Sequence, residues 1–326
     1  MVLCQLDRDR IALGVHFLDI DLIRNIYLAS YGALTLSISP EVQDIKLGLV
    51  NQEHVKSIVR QDISTNLVHM DEYTIRYLSG NDFNPDSARI LVLLHGIGAS
   101  AERWAPVFPG LAEKFEVIIP DIIGFGYSDK PTVEYTMDFF VEFLDRFMKA
   151  LCIKQASFIG WSFGGFLATE FTMKFPSQVN KLVLVSPAGT MRTSTQTLDE
   201  YIMAALYPTY ENVAKAFSHM TNNSEIVPES TIRDFINRMR LPNAKYAFMS
   251  TLLGIRDSPN LAGRLSKIKV PTLCIWGEHD QMIPFQYSAA YGDIPSCTTK
   301  VMKGCGHTPP IENPKEFTKI VLDFLH

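Results

Sequence analysis

The sequence predicts an α/β protein built on a largely parallel sheet, and three observations carry that expectation. From about residue 66, short apolar runs alternate with longer stretches of helical spacing, the pattern of strands joined by crossover helices. The middle runs are apolar at every position, as strands buried on both faces of a parallel sheet should be. Between one such run and a helix-like stretch lies Gly160-Trp161-Ser162-Phe163-Gly164-Gly165, a G-x-S-x-G pattern whose small residues let the backbone make a sharp strand-to-helix turn.

The elements follow in order. Residues 1–65 read as an N-terminal helical extension, because Ser39-Pro40-Glu41 supplies an N-cap, a first-position proline and a first-turn acid for a helix running towards Arg60. Val42, Ile45, Leu49 and Val59 give it an apolar face, which must pack on the cap, cover a sheet edge or join subunits into a homo-oligomer. The sequence does not choose among these. Leu67 to Met70 and Tyr73 to Leu78 form a hairpin joined at Asp71-Glu72. Six further strands are expected at Ile90 to Leu94, Val117 to Ile119, Ser157 to Ile159, Leu182 to Val185, Thr272 to Trp276 and Thr299 to Met302. Thr136 to Ala150 and Phe163 to Phe175 have helical spacing, the latter stopped by Pro176.

Residues 190–262 contain no convincing strand and read as a helical cap inserted into a core formed by 66–189 and 263–326. Pro228-Glu229 opens a helix carrying Ile232, Phe235, Ile236 and Met239 at helical spacing, and Ala244 to Leu252 suggests another. Met191, Met203, Met220, Met239 and Met249 could line an apolar pocket beneath it, although core filling suits most of them better.

Composition narrows the class. The chain has 326 residues, 47% hydrophobic and 20% charged, and a formal net charge of -5. No basic block offers a nucleic-acid footprint, so a small-molecule partner is expected. Cys4, Cys152, Cys274, Cys297 and Cys305 show neither a disulfide framework nor zinc spacing, which fits a cytoplasmic protein without a metal. The apolar stretch from Ile11 to Ile38 is broken by Asp19, Asp21 and Arg24, so no membrane span is expected.

A serine hydroxyl needs a base within reach and a third group to orient that base. His307 stands in the glycine- and proline-rich loop Gly304 to Pro310 after the last apolar run, and Asp280 stands just beyond the run Thr272 to Trp276. Ser162, Asp280 and His307 therefore all fall at the carboxyl ends of strands, where open α/β sheets place their sites, and in the chain order of this class. Glu278 and His279 are the rival acid and base. The amides of Ile97 and Phe163 are the candidate oxyanion donors, each typically contributing ~3 kcal/mol. His95 is expected to be structural.

These motifs, together with His95-Gly96-Ile97-Gly98, Asp121 to Pro131, Trp276 to Asp280 and Gly306-His307, resemble the α/β-hydrolase family from residue 66 onward. The resemblance implies an eight-stranded, mostly parallel sheet, a helical cap after the sixth strand and no cofactor. Ser162 disfavours members with an aspartate nucleophile. Within the family the chain is similar to carboxylesterases and to the meta-cleavage product hydrolases, which cut carbon–carbon bonds. Arg233 lies in the region where the latter place an arginine for the substrate carboxylate, though a solvated pairing with Glu229 on its own helix suits it somewhat better. Trp161 and Thr308 depart from their pattern of an asparagine before the nucleophile and an aromatic after the histidine. The expected function is thus hydrolysis of carboxylic esters of small to medium acyl groups through an acyl-enzyme, with Trp161 and Arg233 as pocket residues. Carbon–carbon hydrolysis, acyl transfer on the same triad and a non-catalytic ligand-binding receptor are the alternatives.

Overall fold

The computed structural model describes residues 63–80, 83–223 and 227–326, all of which fall in one compact unit, Leu47–His326. The helix expected after Ser39, and any subunit contact made through it, lie outside the described residues. Ile63 to Thr65, assigned above to the extension, belong instead to the first strand.

In chain order the elements are β1 (Ile63–Met70), β2 (Tyr73–Gly80), β3 (Ile90–Leu94), α1 (Phe108–Ala112), β4 (Glu116–Pro120), α2 (Met137–Ala150), β5 (Ala156–Trp161), α3 (Phe163–Lys174) and β6 (Val179–Val185). Four helices follow without a strand: α4 (Gln196–Leu206), α5 (Tyr210–Met220), α6 (Glu229–Met239) and α7 (Ala244–Asp257). The chain then returns to the sheet with β7 (Thr272–Gly277) and β8 (Cys297–Met302), and ends in α8 (Pro309–Glu312) and α9 (Pro314–Leu325).

The eight strands form one sheet in the order β1-β2-β4-β3-β5-β6-β7-β8. Only the pairings β1 with β2 and β2 with β4 are antiparallel. The hairpin turns at Asp71, whose φ of 51° is the left-handed conformation such a turn needs. Every residue of β3, β5 and β7 is buried, which is why their sequences show no polar alternation. The edge strand β8 is mostly exposed, and its Thr298, Thr299 and Lys300 reflect that.

Helix α2 shows how the layers are held. Thr136 caps it by accepting from the Phe139 amide, and Phe140, Val141, Leu144, Phe147 and Met148 bury one stripe. Each such side chain contributes roughly 1.5–3 kcal/mol by leaving water. The inserted helices α4 and α5 carry equally legible caps, Thr195 and Thr209, each followed by a first-turn acid. Pro228 occupies the N-cap of α6 rather than its first turn.

Candidate active site

Ser162 stands between β5 and α3 with φ 55° and ψ -116°, a conformation that costs a non-glycine residue about 1–3 kcal/mol. Its neighbours hold it there. The Ser162 amide donates to Val185 O at 2.9 Å, and its carbonyl accepts from the amides of Gly165 and Ala188, each at 3.0 Å. The turn also needs two residues without side chains: a Cβ on Gly164 would lie 2.3 Å from Leu94 O, and one on Gly160 2.4 Å from Gly164 O.

The loops after β7 and β8 bring Asp280 and His307 together. His307 Nδ1 lies 2.8 Å from Asp280 Oδ2, with both side chains buried. Asp280 Oδ1 accepts from the amides of Met282 and Ile283, so the carboxylate is fixed by three partners. Its engagement with Nδ1 assigns the proton to that nitrogen and leaves Nε2 unprotonated in the neutral ring. The His307 backbone is held as firmly: its amide donates to Met220 O at 2.7 Å, and its carbonyl accepts from Trp161 Nε1 at 2.8 Å. Glu312 closes the loop by accepting from the amides of Gly306 and Thr308 and from Thr308 Oγ1. The rivals Glu278 and His279 are half-exposed and face each other at 3.6 Å, away from this arrangement.

The turn after β3 lies against Ser162, because a Cβ on Gly96 would sit 3.4 Å from Ser162 Cβ. Phe163 is the first residue of α3, so its N–H has no intrahelical acceptor, and among the described residues the Ile97 N–H has no backbone acceptor either. His95 is structural, as expected. Its Nδ1 bonds Gly96 O at 2.8 Å, its Nε2 accepts from the Ile122 amide at 3.0 Å, and burial pulls its pKa down to about 4.

Ser162 and His307 share a narrow cavity of about 30 Å³, walled by Ile97, Trp161, Met220, Phe235 and Met282. Of the methionines named above, Met220 reaches the cavity, Met239 and Met249 are buried in the core, and Met203 is exposed. The Phe163 side chain instead joins Phe125 and Phe140 in an aromatic cluster and does not line the cavity.

Arg233 is not a cavity residue. It stands exposed on α6 with Nε donating to Glu229 Oε1 at 2.7 Å, the i to i-4 pairing its helix position favours. The cavity's cations are Arg103 and Arg238, which sequence reading missed. Arg238 is engaged by Asp234 and Gly98 O. Arg103, on the short 3₁₀ turn Ala101–Trp104, lies over the faces of Trp161 and Phe217 at 5.5 Å from each. Among the described residues its guanidinium has no carboxylate partner and no hydrogen-bond acceptor, and burial draws its pKa down to about 10. The sequence offered little signal, because Glu102 stands beside Arg103 and either charge could have faced inward. Among the described residues no group of three or more His, Cys, Asp or Glu could hold a metal ion, and no helix is long and apolar enough to cross a membrane.

Residues 89–314 match the family described as the alpha/beta hydrolase fold. The 2-hydroxymuconate semialdehyde hydrolase of Pseudomonas sp. (strain CF600) is 32% identical over 72% of this chain and 86% of its own. A meta-cleavage product hydrolase from Pseudomonas fluorescens IP01 superposes with a TM-score of 0.71 at 25% identity, covering 81% of this chain and 98% of the other. A membrane phospholipase A, a bacterial virulence factor, superposes with a TM-score of 0.73 at 25% identity over 94% of this chain and 96% of its own.

Proposed function

The chain belongs to the α/β-hydrolase family, and from that premise we propose that it is a serine hydrolase of organic acids that cleaves a carbon–carbon bond beside a ketone. Ser162 is the nucleophile, His307 its base and Asp280 the group that orients the imidazole. Residues 190–262 form a cap over a core made of 66–189 and 263–326.

One observation carries the choice of substrate: the guanidinium of Arg103, without a carboxylate partner among the described residues, faces the cavity that holds Ser162. An unpaired cation in an apolar cavity is costly, and a substrate carboxylate would relieve that cost through a charge-assisted, bidentate pair. The similar 2-hydroxymuconate semialdehyde hydrolase supports an acid substrate of the dienoic type. Arg103 thus takes the part that the sequence suggested for Arg233.

In the reaction, Ser162 Oγ bonds the carbonyl carbon as its proton passes to His307 Nε2, and the resulting oxyanion lies on the Ile97 and Phe163 amides. The bond to the leaving fragment then breaks with its electron pair on that fragment, which takes the proton from His307. Water, deprotonated by His307, attacks the acyl-serine and releases the second acid.

A second reading, ester hydrolysis by the same steps with an alkoxide leaving group, is favoured by Trp161. Its indole bonds the His307 carbonyl where carbon–carbon hydrolases would carry asparagine. The superposition with a phospholipase over most of the chain points the same way. Among the described residues Cys152, Cys274, Cys297 and Cys305 are free thiols, which suits a reducing compartment such as the cytoplasm.

The test compares a dienoic keto-acid with neutral p-nitrophenyl esters. Ser162→Ala should abolish turnover of both and fluorophosphonate labelling; labelling that persists would overturn the nucleophile. Arg103→Met should lower kcat/KM on the keto-acid on the order of 10- to 100-fold while sparing neutral esters, as loss of a charged hydrogen-bond pair does. Turnover of neutral esters alone, unaffected by Arg103→Met, would establish the ester reading instead.

A further inference from the structure

We propose that Tyr201 and Arg238, from two inserted helices, are positioning residues that hold the Ile97 amide in its oxyanion-binding orientation. The inserted helices would then complete the catalytic apparatus as well as cover it. The inference rests on the serine-hydrolase reading and adds to it a dependence of the oxyanion site on α4 and α6.

The turn after β3 contains three successive carbonyls, and all three are bonded. Gly96 O is held within the core, by the Ala99 amide at 3.2 Å and His95 Nδ1 at 2.8 Å. The next two are held from the insertion: Ile97 O accepts from Tyr201 Oη of α4 at 2.7 Å, and Gly98 O accepts from Arg238 Nη1 of α6 at 2.7 Å. The Ile97 N–H shares its peptide plane with Gly96 O, which the core holds, and the next two planes, those of Ile97 O and Gly98 O, are held from the insertion, so the path of the turn that aims the N–H is fixed on its carboxyl side by Tyr201 and Arg238. The turn needs such fixing, because Gly98 has φ +68° and glycine-containing turns sample several conformations of similar energy.

Both side chains are themselves immobilised. Arg238 Nε donates to Asp234 Oδ2 at 2.8 Å, and Asp234 Oδ1 accepts from Tyr127 Oη at 2.7 Å, which ties α6 to the core loop after β4. The Tyr201 ring packs among Phe217, Phe235 and Phe248. Burial pushes the Tyr201 phenol up to about 12, so it stays a donor at any working pH. A Cβ on Gly98 would lie 2.9 Å from the Phe248 ring and 3.1 Å from Tyr201 Oη, so the insertion presses directly on this turn.

The test uses Tyr201→Phe, which removes one hydroxyl from an aromatic cluster that can keep its packing, and Arg238→Met with Arg238→Lys as the conservative partner. Each is assayed for kcat and KM on the best substrate found, or on p-nitrophenyl acetate. Each is also assayed for inhibition by a phenylboronic acid, whose tetrahedral adduct places an oxygen where the oxyanion forms, and for its second-order rate of fluorophosphonate labelling. Tyr201→Phe and Arg238→Met should each lower kcat about 10-fold or more with KM within twofold, and weaken boronate binding by a similar factor. Arg238→Lys should recover part of both losses. Unchanged kcat, or a raised KM with boronate affinity intact, would overturn the proposal, because the side chains would then act only as pocket walls. The labelling rate keeps the result readable for a variant too slow to turn over. Failure of the serine-hydrolase reading would show separately, as turnover and labelling that survive Ser162→Ala.

Discussion

His95 shows how one side chain can couple the site to acidity. Its Nε2 accepts from the Ile122 amide, so the folded protein requires the neutral ring, and burial lowers its pKa to about 4 from an ordinary 6.5. The unfolded chain therefore binds a proton that the folded chain refuses between those values. Stability should be unaffected by this group above about pH 6.5 and should fall as pH drops from there to about 4, by about 3 kcal/mol in all. Denaturant midpoints measured across that range should show the slope, and His95→Gln, which cannot titrate, should flatten it. At this scale the sequence was legible for Ser162, Asp280, His307 and Trp161, because strand ends and glycine-rich loops mark them. It was misleading for Arg233, since a cation on a helix declares its face only once the helix is docked. Arg103 was hidden for the same reason: nothing in Ala101-Glu102-Arg103-Trp104 tells which of its two charges turns to the core salt bridge and which to the cavity. Glu102 pairs with Arg76, and Arg103 faces the cavity.

The element that decides the site is the junction of β5 and α3. Gly164 lies against the carbonyls of Leu94 and His95, so strand β3 and helix α3 approach more closely than any side chain would allow. Gly164→Ala should push α3 away from the sheet, with a loss of stability on the order of 3 kcal/mol or more and loss of fluorophosphonate labelling. Thermal melts and labelling of the soluble fraction would check both; a stable, labelled variant would mean that the junction tolerates more movement than its contacts indicate. Strands were the easiest elements to read, since β3, β5 and β7 are buried along their whole length. Helices α4 and α5 were the hardest. Their apolar faces pack on other inserted helices rather than on the sheet, so their residues match no strand-helix alternation, and only the caps at Thr195 and Thr209 announce them.

In the whole molecule the sheet and the insertion divide the work. The sheet delivers Ser162, Asp280 and His307 from the ends of β5, β7 and β8, a placement that the α/β alternation foretold. The insertion then reaches two loops of the candidate site through backbone groups: the turn after β3, where Ile97 O meets Tyr201 and Gly98 O meets Arg238, and the loop after β8, where the His307 amide meets the carbonyl of Met220, the last residue of α5. No sequence pattern announces these contacts, because a carbonyl has no letter of its own. They arise only when two parts of the chain distant in sequence are packed together.

The cavity of about 30 Å³ has room for a water or two, whereas pockets for small organic molecules are typically of ~300 Å³ or more. If substrate entry displaces the inserted helices through solvent, that displacement feels friction. Turnover should then slow in proportion to the relative viscosity of glycerol or sucrose solutions, with polymeric crowders of the same bulk viscosity having little effect. A slow variant such as Asp280→Asn, limited by bond breaking, should lose that sensitivity. The tightness of the resting cavity would make this a hydrolase whose speed is set by the drag on its own surface.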